Sequence, residues 1–228
     1  MVEVARRMGK VFVALIVTWA VLGAATTAQA GVRYTTKYKH YAIKGKTSLE
    51  LVLFMGRYGP MVGHQRAYGT IHPNPDVDGK LQQLKNRCAI KNFSITYDFV
   101  ITLPKVNNRK SMTRRARKLF ARFYGDTKRH EHTHRAIYLK CARRADKRIR
   151  ALRNIRQCGR LDSAIGVVIK EEFAKCEAAH KAFDRREARG LAKEPLIKQA
   201  LKESRKNKKS KINRARGRTI LRGMELTR

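Results

Sequence analysis

The residues most able to do chemistry in this chain are His130-Glu131-His132-Thr133-His134, which fit the pattern H-E-x-x-H. On an α-helix, residues four apart lie on one face, so the imidazoles of His130 and His134 can point at one tetrahedral zinc ion. Glu131 can reach a water bound to that ion, whose pKa the metal lowers, and take its proton. The motif therefore predicts two zinc ligands and a general base, which are the groups of a zinc-dependent hydrolase.

A motif this short also occurs by chance, so its structural context matters. From Ala116 to Leu152 apolar residues recur every three or four positions, while Arg and Lys fill many of the positions between them. His130 and His134 lie on this stripe, so the pattern predicts one long helix with both histidines facing the interior. Buried histidines without a metal would occupy the same stripe, so the zinc interpretation needs a third ligand. His132 lies off the stripe and receives no role.

The first half of the chain reads as strands and turns, because its prolines and glycines interrupt every longer periodic segment. Tyr38–Ile43 and Arg66–Ile71 are predicted strands, separated by a short amphipathic helix over Ser48–Met55. The Pro-, Asn- and Asp-rich residues after Ile71 are predicted to form a loop. Apolar residues alternate from Phe93 to Leu103, which predicts a half-buried antiparallel strand.

A second helix is predicted after a turn at Cys158-Gly159, with Asp162 or Ser163 as its N-cap. Its expected buried stripe contains Ile165, Ile169, Phe173, Cys176, His180, Phe183 and Glu187. Two helices joined by a short turn pack antiparallel, so residues equally distant from the turn face each other. His134 then faces Phe183, and His130 faces Glu187. His180, Asp184 and Glu187 are therefore the candidates for the third zinc ligand, and Arg189 lies close to them.

The same facing arrangement places Cys141 opposite Cys176, which predicts a disulfide between them and leaves Cys88 to pair with Cys158. A shift of the turn by a few residues would change this result, so the other two connectivities of four cysteines stay open. Pairing itself is expected because the N-terminus resembles a secretory signal peptide over residues 1–30. Basic residues precede the apolar run Val11–Leu22, and Ala28-Gln29-Ala30 is a cleavage site. The alternative is an uncleaved membrane anchor.

Export places the protein in the periplasm or outside the cell, where an even number of cysteines is usually paired. No other segment could span a membrane, so the processed chain is not expected to be an integral membrane protein. The chain has a net charge of +36, and loss of residues 1–30 removes three basic and one acidic side chain, leaving +34. Such a charge favours anionic partners such as envelope lipid phosphates, or it serves as a solvated surface. No RNA-binding signature or zinc-finger spacing points to nucleic acid.

The order of these segments resembles the bacterial predicted secreted zinc-dependent proteases, a family defined by a domain of unknown function. The resemblance spans residues 38–190 and rests on motifs in a fixed order: Tyr41-x-Ile43-x-Gly45, Gly59-Pro60, Arg66-x-Tyr68-Gly69-Thr70, Cys88, Leu103-Pro104, H-E-x-x-H, Cys158 and Phe183-Asp184. It implies that His130 and His134 bind zinc and that Glu131 is the base. The family carries a histidine at the position of Arg189, and an arginine cannot bind zinc because it has no free lone pair.

Together these features predict an α+β fold, zincin-like, in which a small antiparallel sheet precedes a long antiparallel helical hairpin. Residues 31–192 would form the domain and residues 193–228 a basic tail with 13 basic and 3 acidic side chains. The expected function is zinc-dependent hydrolysis of a peptide or protein substrate. Arg189 favours one alternative, a non-catalytic relative whose basic surface binds anionic envelope components. The other alternative is a structural hairpin that holds no metal.

Overall fold

The computed structural model describes residues 31–206, so the predicted signal peptide and residues 207–228 lie outside the described part of the chain. The elements follow one another as five strands and then helices, with one helix inserted after the first strand. In chain order they are β1 (Val32–Ile43), α1 (Ser48–Tyr58), β2 (Met61–Val62), β3 (Gln65–Arg66), β4 (Thr70–Gln83), β5 (Cys88–Val106), a 3-10 turn (Arg109–Ser111), α2 (Arg114–Arg150), α3 (Cys158–Leu191) and α4 (Pro195–Lys206). The chain therefore forms a mixed α+β fold, as predicted.

The main sheet has three strands in the order β1-β5-β4, and β5 lies in the centre. The alternation expected in the central strand is present, since Phe93, Ile95, Phe99, Ile101 and Leu103 are buried. The prediction of an antiparallel sheet is wrong for one of the two pairings, because β1 runs parallel to β5 while β4 runs antiparallel to it. A short loop joins β4 to β5 as a hairpin, whereas α1 separates β1 from both and lets it pair in either direction.

The segment after Ile71 is a strand and not the predicted loop. β4 contains Pro73 and Pro75 and pairs with β5 along most of its length. Proline removes a hydrogen-bond donor from a strand, which is tolerated where one side of the strand has no neighbour. β4 is the edge of this sheet, so its prolines do not interrupt the pairing with β5.

The two long helices form the predicted antiparallel pair. Thr113 caps α2, since its side chain accepts a hydrogen bond from the Ala116 amide. α3 begins at Cys158, several residues earlier than predicted, and Gln157 is its N-cap without a side-chain hydrogen bond. The predicted turn at Cys158-Gly159 and the predicted caps are therefore wrong, because the loop between the helices ends before Cys158. Three members of the predicted buried stripe, Ile169, Phe173 and Glu187, are exposed.

Covalent and ionic contacts join α2 to α3. The structure contains the disulfides Cys141–Cys176, between the helices, and Cys88–Cys158, between β5 and the start of α3. Glu172 of α3 is buried, and its carboxylate accepts hydrogen bonds from Arg144 and Arg148 of α2 and from Lys175. These cations hold the pKa of Glu172 at about 2 although burial opposes them. The register of the helical pair is thus fixed at several points.

Part of the predicted basic tail belongs to the folded body. Leu196 and Ile197 of α4 are completely buried and pack in one core with α1 and the start of α2. The carboxylate of Glu203 accepts a hydrogen bond from the Leu49 amide in the first turn of α1. The boundary placed at residue 192 therefore falls just before an element that packs against the rest of the domain. The apolar face of α4 was not recognised from the sequence because basic residues predominate in this segment.

Candidate metal centre

The motif lies in the middle of α2, between two hydrophobic cores that hold the helix at both ends. The first core contains Phe120 and Phe123 together with α1 and α4. The second contains Ala142, Ala145 and Ile149 together with β5 and the start of α3. The intervening turns of α2 carry polar groups towards α3, and they are rigidly placed because packing fixes the helix on either side of them.

Three donor atoms meet where α2 faces α3. Nε2 of His134 lies 3.0 Å from Nε2 of His130 and 2.9 Å from Oδ1 of Asp184. The distance from His130 Nε2 to the same carboxylate oxygen is 3.4 Å. In a tetrahedral zinc site with bonds of 2.0–2.1 Å, neighbouring ligand atoms are about 3.3 Å apart. The spacing of these three atoms fits that arrangement closely.

The types of the three donors also fit zinc. Two imidazole nitrogens and one carboxylate oxygen form a donor set that zinc accepts, and three protein ligands leave a position for a water or a substrate. Asp184 is the accessible member, because its side chain is 49% exposed while that of His134 is 11% exposed. The site is therefore closed on the side of α2 and open to solvent beside Asp184.

Asp184 and His130 each shift the pKa of the other towards the charged form. Burial raises the pKa of Asp184, but hydrogen bonds from His130 and His134 outweigh it and hold the pKa well below its usual range. Burial lowers the pKa of His130, and the hydrogen bond to Asp184 with the nearby charge of Glu131 raises it above its ordinary value. The carboxylate is thus ionised at neutral pH, which a metal ligand requires.

The two histidines are also held by aromatic neighbours on α3. The ring of Phe183 lies 4.8 Å from the ring of His130 and 5.0 Å from that of His134. Nδ1 of His134 lies 2.8 Å from Nδ1 of His180, in a buried hydrogen bond. Burial and the nearby His134 lower the pKa of His180 to about 4, so this imidazole is neutral at physiological pH.

Glu131 is a buried carboxylate without a partner. It is 4% exposed, and within residues 31–206 it forms neither a hydrogen bond nor an ion pair. Burial raises its pKa, against the opposing effect of His130 and His134. The carboxylate lies against Gly69, where an added Cβ would come within 3.0 Å of Oε1. The fully buried side-chain oxygens without a partner in the described residues are Ser48 Oγ and one oxygen of Glu194, so the carboxylate of Glu131 is not sealed from solvent. A carboxylate that the fold does not use is available for a reacting proton.

The three candidates for the third ligand have different positions. Asp184 joins His130 and His134 in one cluster, with ligand atoms within 4.8 Å of one another. His180 lies behind His134 and contacts its other ring nitrogen. Glu187 is exposed and forms no ion pair in the described part of the chain, and Arg189 is exposed as well. The geometry therefore favours Asp184, so a metal site at this position does not need residue 189.

Two features of the site were not identified from the sequence. The role of Gly69 beside Glu131 depends on a contact between the start of β4 and α2, which no local pattern encodes. The contact between His180 and His134 was missed because His180 was considered only as a ligand. His132, which received no role, points away from the cluster and bonds to Tyr38 and Arg135.

Comparison with known proteins gives a family but no activity. The chain belongs to the family described as bacterial protein of unknown function (DUF922), whose model matches residues 38–190. No curated protein and no solved structure matches the chain. Among the helices of residues 31–206, none combines the length and the apolar character needed to cross a bilayer. The two disulfides fit a protein of the periplasm or the extracellular space.

Proposed function

We propose that this protein is an exported zinc-dependent peptidase of the periplasm or the extracellular space. The observation that carries the proposal is the convergence of His130, His134 and Asp184 beside Glu131, a buried residue whose carboxylate has no partner among residues 31–206. Two buried histidines that bind no metal could hydrogen-bond to each other and would not need an ionised carboxylate beside them. A structural zinc site would have four protein ligands, whereas three ligands with an open side are typical of catalytic zinc.

Each residue has a distinct role in this proposal. His130 and His134 hold the metal through Nε2, and Asp184 holds it through a carboxylate oxygen. Zinc bound there supplies a Lewis acid that lowers the pKa of the attacking water and polarises the carbonyl of the substrate. Phe183 packs against both imidazoles and keeps their planes fixed, while the exposed side of Asp184 leaves room for a peptide to approach.

Glu131 moves the proton. Its buried carboxylate has a raised pKa and accepts a proton more readily than an exposed glutamate would. It takes the proton from the attacking water and then donates that proton to the leaving nitrogen as the carbon–nitrogen bond breaks. The same group thus serves first as base and then as acid, and it ends the reaction ionised again. The assignment of a peptide bond rests on the family resemblance, since a hydrolase of esters would need the same groups.

The alternative function is a non-catalytic relative whose basic surface binds anionic envelope components. A net charge of +36 supports binding of anions in general. The feature of the sequence that favoured this alternative was Arg189, which cannot bind zinc. Asp184, however, offers a third donor atom beside His130 and His134, so the site does not need residue 189. Binding that depends on charge would weaken between low and high salt, whereas peptide hydrolysis would depend on Glu131. The two functions can therefore be separated on one preparation.

The experiment uses the purified exported protein, loaded with zinc, and a mixture of unstructured peptides analysed by mass spectrometry. Glu131→Gln is expected to retain zinc and lose cleavage by a factor of at least about 100, the scale of a lost general base. Glu187→Gln is the matched control, because it removes an exposed carboxylate of α3 and should change neither property. If zinc-loaded Glu131→Gln cleaves as fast as the unaltered protein, the proposed mechanism is wrong.

A further inference from the structure

The second ring nitrogen of His134 leads away from the metal centre to a chain of buried groups. Its Nδ1 lies 2.8 Å from Nδ1 of His180, and both residues are less than a tenth exposed. Nε2 of His180 lies 3.7 Å from Sγ of Cys176, which is bonded to Cys141. Tyr138 covers the other side, with ring centroids 4.1 Å apart. His134 and the disulfide are thus connected through one imidazole.

The contacts determine which ring nitrogen of His134 and which of His180 carries the N–H proton. A neutral imidazole has one N–H, and a nitrogen that binds a metal must offer a free lone pair. If His134 binds through Nε2, its proton is on Nδ1 and donates to His180. Nδ1 of His180 is then an acceptor, so the proton of His180 lies on Nε2 and points at Cys176. Every buried ring nitrogen of the two residues then has a partner.

We propose that His180 is a positioning residue, which fixes the tautomer and the ring orientation of His134 by accepting the hydrogen bond from its Nδ1. The inference rests on the proposed function, because it requires a metal on the other side of His134. Residues behind zinc-binding histidines usually do this through a carboxylate or a backbone carbonyl, and losing them weakens metal binding 10- to 100-fold. Here a second buried imidazole, 2.8 Å from Nδ1 of His134, takes that place.

The disulfide gives His180 a fixed position. Cys176 precedes His180 by one helical turn, and its Cα lies 5.8 Å from that of Cys141 on α2. The cross-link therefore joins the two helices beside the histidine pair and prevents α3 from sliding along α2. Phe183 and Asp184 follow on the next turn of α3, so the same cross-link also holds the groups that complete the metal centre.

Two substitutions separate hydrogen bonding from packing. His180→Phe keeps an aromatic ring beside Tyr138 but removes the acceptor. His180→Asn loses the ring but places an amide oxygen near the original position of Nδ1. We expect zinc affinity, measured by competition with a chromophoric chelator, to fall about 10- to 100-fold for the phenylalanine variant and much less for the asparagine variant. Far-ultraviolet circular dichroism and a thiol assay check that each variant is folded and disulfide-bonded.

A second readout detects the hydrogen bond itself. In the zinc-loaded protein labelled with nitrogen-15, Nδ1 of His134 should carry a proton and show a coupling across the hydrogen bond to Nδ1 of His180. A proton on Nδ1 of His180 in that state would overturn the proposal. So would equal zinc affinities of His180→Phe and the unaltered protein, or an equal loss in both variants, since the latter would indicate packing alone.

Different results would refute the proposed peptidase function. An unaltered protein that binds zinc but cleaves no peptide would refute the peptidase, while the difference between the two His180 variants would persist. An unaltered protein that binds no zinc would refute both proposals at once. Zinc affinity and hydrolysis are therefore measured on the same preparations.

Discussion

Replacement of Gly69 by alanine would test whether the position of Glu131 matters. A Cβ on Gly69 would lie 2.6 Å from the Cγ2 methyl of Thr127, 3.0 Å from Oε1 of Glu131 and 3.4 Å from Leu103. Carbon atoms in contact are normally at least about 3.5 Å apart, so the methyl of Thr127 must move by roughly 1 Å. Glu131 must give way by a few tenths of an ångström. Both residues lie on α2, so the helix, the carboxylate or the start of β4 has to shift.

We expect Gly69→Ala to lower the turnover of peptide cleavage, by less than the roughly 100-fold that a 1 Å displacement of a reacting group causes, because Glu131 itself has to move by only a few tenths of an ångström. The overpacking should also lower the free energy of unfolding by about 1–3 kcal/mol. Zinc content should stay unchanged, since none of the three atoms nearest to the added Cβ belongs to His130, His134 or Asp184. Turnover, zinc content and denaturant unfolding are measured on one preparation.

Two further variants test the cause of the effect. In Gly69→Ala combined with Thr127→Ser, the clashing methyl is absent, and the hydroxyl can still donate to the carbonyl of Phe123. This pair should recover part of the lost stability and turnover. Gly125→Ala is the control on the same helix, because a Cβ there meets nothing within 4 Å, and it should leave turnover unchanged. Full turnover in zinc-loaded Gly69→Ala would refute the placement of Glu131 at the reacting group.

Two other predictions concern the helical pair. Replacing Cys141 and Cys176 by serine should lower zinc affinity. Replacing Cys88 and Cys158 by serine should mainly lower the free energy of unfolding, by about 2–5 kcal/mol. Equal zinc affinities of the two double variants would argue against the Cys141–Cys176 disulfide as a support of the site. Glu172→Gln should lower stability at pH 7 by about 1–2 kcal/mol after screening by solvent around its partners. Because the folded-state pKa of Glu172 is depressed to about 2, the contribution is complete above the unfolded pKa of 4.5 and is lost as pH falls towards 2; a gap from the unaltered protein that stays constant over this range would refute it.

The sequence was informative where a feature repeats along the chain. Helical spacing placed His130 and His134 on one face, and counting from the turn paired Cys141 with Cys176. The same counting put Glu187 opposite His130, although the structure brings Asp184 there, three residues earlier on α3. Residues three or four apart lie on the same helix face, so counting from a turn locates a facing side chain only to within about one helical turn, even when the helices and their direction are correct.

Other features depend on contacts that no local pattern encodes. The parallel pairing of β1 with β5 reflects the course of the chain through α1, and the prolines of β4 are tolerated because the strand lies at an edge. Ile169 and Phe173 follow the apolar period of α3 yet remain exposed, since neither the sheet nor α2 covers them. In α4 the basic residues dominate the composition, while its few apolar residues are the ones that pack.

The central claim is that Asp184 completes a metal centre with His130 and His134, and zinc binding tests it most directly. The purified protein is expected to bind one zinc ion per chain, measured by elemental analysis after dialysis. Asp184→Ala should bind zinc much more weakly, because it removes one of three ligands, while Arg189→Ala should bind it as the unaltered protein does. An unaltered protein without zinc, or an Asp184→Ala variant with undiminished affinity, would contradict the account.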